Sequence, residues 1–129
     1  MRELSQGRPM FITVTPMGAV RQTRADAWKR RPVVLRYRAF KDAVRAQFGN
    51  IVDVPETLCV DFYLPMPKSW SDKKKALMGG KRHRQKPDID NLAKAVMDTL
   101  WPGGDEGVAS LSVRKYWVKD AAGFEIWFP

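Results

Sequence analysis

The chain has 129 residues, with 23 lysines and arginines against 14 acids for a formal net charge of +9, and 44% of its residues are apolar. This composition excludes a disordered chain, and with no apolar run near the ~18 residues of a spanning helix and no apolar leader in MRELSQGRPM it also argues against a membrane or secreted protein. One cysteine, Cys59, and one histidine, His83, exclude an internal disulfide and a His/Cys zinc site within one chain, so any bound metal must be held by oxygen.

The length fits a single domain over residues 1–129 in the cytoplasm, and the charge points to a polyanionic partner, most commonly nucleic acid. In chain order, Met10, Ile12 and Val14 alternate with Phe11, Thr13 and Thr15, predicting a strand that ends at Pro16. Residues 17–32, with Arg21, Arg24, Lys29, Arg30, Arg31 and Trp28, read as an exposed basic loop. From Val33 to Phe48 the spacing predicts a helix whose inward stripe is Leu35, Tyr37, Phe40, Val44 and Phe48, stopped by Gly49-Asn50. Leu58, Val60, Phe62 and Leu64 alternate with Cys59, Asp61 and Tyr63, the clearest strand of the chain, placed at 56–64 and broken by PMPKSW.

Residues 68–86 hold eight lysines and arginines plus His83 against one acid, Asp72, and predict a short lysine-rich helix followed by a flexible loop. Lys73, Lys74, Lys75, Lys81, Arg82, Arg84 and Lys86, together with Arg21 and Arg24, are the expected contacts to a nucleic-acid backbone, as general phosphate contacts or plain solubilising charge and not as specific readers. His83 reads as a neighbour of phosphate. Trp70 and Trp28 read as packing residues, with insertion into opened DNA as the alternative. A helix over Asp88–Leu100 follows, ended by Trp101-Pro102-Gly103-Gly104, with Ile89, Leu92, Ala93, Val96 and Leu100 facing the core and Asp90, Asn91, Lys94 and Asp98 facing away. Val108–Val118 and Phe124–Phe128 predict two strands joined as a hairpin, with Gly123 at a positive-φ position. The fold expected is α+β, a mixed sheet with helices packed on it in the order β-α-β-α-β-β.

KPDIDN, at residues 86–91, sets two acids one residue apart inside this basic chain. The structural explanation is that Asp88 caps the helix, Asp90 favours its dipole, and Asp90, Lys94 and Asp98 form i,i+4 pairs. The functional explanation adds Asp105, which precedes the next strand: if it returns beside Asp88 and Asp90, the three carboxylates form a hard-oxygen site for Mg2+ or Mn2+. Two carboxylates ~5 Å apart repel by roughly 3 kcal/mol at an effective dielectric of ~20, so a shared cation relieves a real cost and supports phosphodiester hydrolysis, with Lys94 placed to contact phosphate.

KPDIDNLAKAVMDTLW followed by DEGVASLSVRKYW resembles the signature region of the RusA-like Holliday junction resolvases of bacteria and their phages, over roughly residues 57–118. The resemblance implies a homodimeric, magnesium-dependent endonuclease that needs no small-molecule cofactor and cuts branched DNA, the four-way junction, by paired nicks. It further implies that Asp88, Asp90 and Asp105 are catalytic and metal-binding and that Lys94 matches the family's functional lysine. Glu106 is the alternative third acid, because the family often shows two adjacent acids before the last strand where this chain has Gly104-Asp105-Glu106. A DNA-binding protein without enzymatic activity, or an inactive junction binder, is the competing reading.

Overall fold

The computed structural model describes residues 9–21, 23–27, 31–49 and 53–129, so Trp28 lies outside the described residues. The elements are strand β1 (Met10–Thr13), a 3-10 turn (Arg24–Ala27), helix α1 (Pro32–Phe48), strand β2 (Thr57–Pro65), helices α2 (Asp72–Met78) and α3 (Ile89–Leu100), and strands β3 (Ser110–Val118) and β4 (Gly123–Trp127). The class is α+β with a mixed sheet, as expected, and α2 is the short lysine-rich helix read from residues 68–86, which the expected order β-α-β-α-β-β leaves out.

β2 alternates as the sequence requires, burying Leu58, Val60, Phe62 and Leu64 on one face. That apolar row puts it inside the sheet, whose order is β1-β4-β2-β3. β3 runs parallel to β2, which demands a crossover connection, and α2 and α3 supply it. β4 runs antiparallel to both β1 and β2.

This order overturns the predicted hairpin. β3 and β4 are consecutive in sequence, but β2 lies between them, so their connection steps over a strand instead of folding back on itself. The positive-φ residue of that connection is Ala121, at φ 57°, and not Gly123. Gly123 is needed for another reason: a Cβ there would lie 2.3 Å from the Ile12 carbonyl oxygen across the β1–β4 pair.

The helices pack on the face that carries Val60 and Phe62. α1 begins with Pro32, whose missing N–H costs nothing in the first turn, and buries Val34, Tyr37, Phe40, Val44 and Phe48. Val34 takes the place of Leu35 in the expected stripe: it shares one arc with Tyr37, Phe40, Val44 and Phe48, whereas Leu35 lies about 160° from the centre of that arc at ~100° per residue and is exposed. Gly49, at φ 82°, ends the helix. Gln47 fastens β1 to the last turn of α1 in both directions, its Oε1 accepting from the Thr13 amide at 2.7 Å and its Nε2 donating to the Thr13 carbonyl at 2.7 Å. Phe62 and Phe124, both fully buried, meet at 5.7 Å between ring centroids in the centre of the core.

The lysine-rich segment is not a loose loop after α2. Residues 80–83 lie along the outer edge of β3: the Gly80 amide donates to the Trp117 carbonyl, the Trp117 amide to the Lys81 carbonyl and the His83 amide to the Lys115 carbonyl, each at 2.9 Å. β3 would otherwise leave its outer backbone groups unpaired. Trp117, only 3% exposed, supports this arm, with Trp70 at 4.7 Å and His83 at 3.9 Å from its ring.

His83 is therefore a packing residue, 5% exposed, and not the phosphate neighbour expected from its basic surroundings. Burial first, and the Lys115 charge second, hold its pKa below the ordinary value. Since the unfolded chain takes up the proton first as pH falls below about 6.5, the stability contributed by neutral His83 is present above that value and lost below it. Thermal unfolding followed from about pH 8 to about pH 5 should show wild-type stability falling more steeply than that of His83→Phe, which keeps the ring stack without the titration. Parallel curves would refute this assignment.

Candidate metal and phosphate site

α3 begins at Ile89, with Asp88 at the N-cap position. The Asp88 side chain makes no capping hydrogen bond, so the capping explanation of this acid is not realised. Lys115 of β3 fixes the approach to the helix by donating to the carbonyls of Gln85 and of Pro87, the latter at 2.7 Å. Burial lowers the Lys115 pKa, and the charge of Asp88 opposes that shift. Nothing in the sequence singles out Lys115; its role in holding the KPDIDN turn depends on a contact 28 residues back along the chain.

Along α3, Leu92, Ala93, Ala95, Val96 and Thr99 are buried. Ile89, expected in the core, is 38% exposed: with Leu111, Val113 and Met97 it walls a cavity of about 570 Å³. Asp90, Lys94, Asp98 and Asp105 open into the same cavity. The turn that brings Asp105 there is built on Gly104, at φ 130°, whose amide donates to the Trp101 carbonyl at 3.0 Å, while the Asp105 carbonyl accepts from the Val108 amide at 2.9 Å. Glu106 folds back beside Gly104 and is not part of the cavity wall.

Of the two i,i+4 pairs read from the sequence, Lys94–Asp98 is formed, at 2.9 Å. The hydrogen bond and charge of Asp98, and more weakly Tyr37 and Asp105, hold the Lys94 ammonium above its ordinary pKa, so it stays charged at the cavity mouth. The Asp90 carboxylate instead accepts from the Asn91 amide at 2.9 Å.

Asp90 and Asp105 thus share a wall, and Asp88 stands outside it at the helix start. Among the described residues, no three His, Cys, Asp or Glu side chains gather as a metal cage. Two carboxylates with room for water nevertheless match the way Mg2+ is bound, through one or two carboxylates, several waters and substrate phosphate.

A sequence profile of the family Endodeoxyribonuclease RusA matches residues 6–127. The chain belongs to the RusA endodeoxyribonuclease family. It is also 37% identical to an uncharacterised Bacillus subtilis protein, YqaN, in an alignment covering 55% of this chain and 55% of that protein. This member of the RusA family therefore spans about half the length of the curated relative it matches.

In the RusA-family chain the basic residues expected to contact DNA lie in two stretches. Arg21 and Arg24 are exposed on the segment between β1 and α1, while Lys73, Lys74, Lys75, Lys81, Arg82 and Arg84 follow α2 and the arm on β3, with Lys86 at the entry to α3. Two of them rest their charged groups on aromatic rings, the Lys74 ammonium lying 4.2 Å from the Trp70 ring and the Arg82 guanidinium 5.3 Å from that of Tyr116. Trp70 is half-buried on Trp117, a packing role. Asn91 is a further residue that periodicity missed: it exchanges two hydrogen bonds with Ala19, donating to its carbonyl from Nδ2 and accepting from its amide through the Asn91 carbonyl, each at 3.2 Å. Gly18 makes this approach possible, since a Cβ there would lie 2.3 Å from the Asn91 amide nitrogen.

Proposed function

We propose that this protein is a magnesium-dependent endodeoxyribonuclease that resolves four-way DNA junctions by paired nicks, with Asp90 and Asp105 as its principal metal-holding acids. The observation that carries this reading is the shared cavity of Asp90 and Asp105 with Lys94 at its mouth, in a chain of the RusA family. Asp88, next to Lys115 at the entry to α3, is the third acid and joins when substrate and cation complete the site. Asp90 and Asp105 would hold the divalent cation, Mg2+ with Mn2+ as substitute, and when bound it would supply charge neutralisation at the scissile phosphate and activation of water. Lys94 steadies a phosphate oxygen and keeps Asp98 paired, which leaves Asp90 and Asp105 for the metal. The lysines and arginines of α2, of the arm and of the β1–α1 segment grip the backbone on either side.

Two copies act together, since symmetric cuts in a two-fold junction need two active sites. No described helix is long and apolar enough to cross a membrane, in keeping with work on cellular DNA in the cytoplasm during recombination and repair.

The test is a synthetic four-way junction incubated with magnesium, where symmetric nicks are expected. Tight junction binding with no nicking under any divalent cation would reassign the chain to the inactive junction binders. Binding should also weaken about 100-fold between roughly 50 and 200 mM salt if about four phosphates are neutralised. Salt-independent affinity would rule out the electrostatic grip.

A further inference from the structure

A second cavity, of about 440 Å³, opens on the other side of Lys94 and Asp98, which belong to both. Its remaining polar wall is Arg21, Tyr37, Lys41 and Asn91. Asp98, its one carboxylate among the described residues, is paired with Lys94 at 2.9 Å, so Arg21 and Lys41 give the described wall net positive charge. The site is held in shape by secondary structure. Arg21 rides on the segment that the two Asn91–Ala19 hydrogen bonds clip to α3, and Lys41 projects from α1 with its ammonium 4.9 Å from the ring of Tyr37. Tyr37 is 4% exposed, and burial raises its pKa, followed by the Asp98 charge, so its hydroxyl remains protonated and can donate.

We propose that this cavity seats a backbone phosphate neighbouring the scissile one, gripped by Arg21 and Lys41 with Tyr37 donating, so that the strand being cut crosses the Lys94–Asp98 ridge from one cavity to the other. The proposal rests on the hydrolase reading for the identity of the adjacent site. It makes Asn91 a positioning residue, which sets Arg21 relative to Asp90 without touching the reacting atoms.

The experiment places a single uncharged methylphosphonate at each phosphate flanking the cut in turn, and compares wild type with Lys41→Ala and Lys41→Arg. Affinity is read without divalent cations and cleavage with magnesium. At one flanking position the neutral linkage should weaken wild-type binding about tenfold yet change binding by Lys41→Ala less than about twofold, with Lys41→Arg restoring the wild-type response. Independent losses at every position, multiplying in the Lys41→Ala variant, would overturn the subsite. Coupling in affinity without magnesium-dependent cleavage would sink the hydrolase reading and keep the subsite; cleavage without coupling would do the reverse.

Discussion

Asp90→Asn should lower magnesium-dependent nicking of a four-way junction about 1000-fold, equivalent to ~4 kcal/mol of transition-state stabilisation, while leaving junction affinity unchanged or slightly higher. The substitution removes little besides charge. The Asn91 amide donates to Asp90 Oδ1 at 2.9 Å, and an amide oxygen can accept that bond equally well, so the start of α3 is expected to stay intact. What is lost is an anionic oxygen in the wall shared with Asp105. Affinity should hold because deleting a negative charge from a surface that meets phosphate does not weaken attraction. Asp98→Asn is the informative control: its carboxylate is engaged by Lys94, so its effect should be far smaller. Nicking by Asp90→Asn within about tenfold of wild type would remove this acid from the proposed mechanism.

The largest expected loss of stability is at Trp117→Ala, about 3–5 kcal/mol in urea or thermal unfolding. Trp117 is 3% exposed, carries Trp70 and His83 on its ring, and exchanges backbone hydrogen bonds with Gly80 and Lys81. The variant keeps the backbone groups and removes the platform. Amide exchange at Gly80 and His83 should therefore accelerate more than exchange in the β2–β4 ladder, and DNA affinity should fall as the arm with Lys81, Arg82 and Arg84 loses its fixed course. Trp70→Ala, at a half-buried ring, should cost less. A loss below about 1 kcal/mol with the arm amides still protected would show that edge pairing alone holds the arm.

Elements that bury one face were legible before the structure. β2 alternates without interruption and α3 carries a clean apolar arc, because period reports which side of an element is covered. Period does not report what covers it. The β3–β4 hairpin was wrong because the apolar row of β2 belongs between those strands, a fact of tertiary assembly that no local turn signal contains. Ile89 is exposed for a related reason, since it lies in the first turn of α3 where the neighbouring elements decide exposure, whereas Leu35 lies on the far side of α1 from Tyr37, Phe40, Val44 and Phe48 and never fitted their period. His83 looked electrostatic beside lysines and arginines, yet Trp117, 34 positions further on by sequence number, stacks on it. In the cavity, Asp90, Lys94 and Asp105 lie together while Asp88 of the expected three-acid set stands outside, and Asn91 was read only as a polar-face residue because its partner Ala19 is 72 residues away.

The basic arm on β3 also bears on solubility. A rim of lysines and arginines would, as a bare strand, also offer its backbone to any extended chain nearby. With Gly80, Lys81 and His83 already bonded to Trp117 and Lys115, the C-terminal end of that edge is closed to strand addition, so copies brought close together do not meet there through open strand ends.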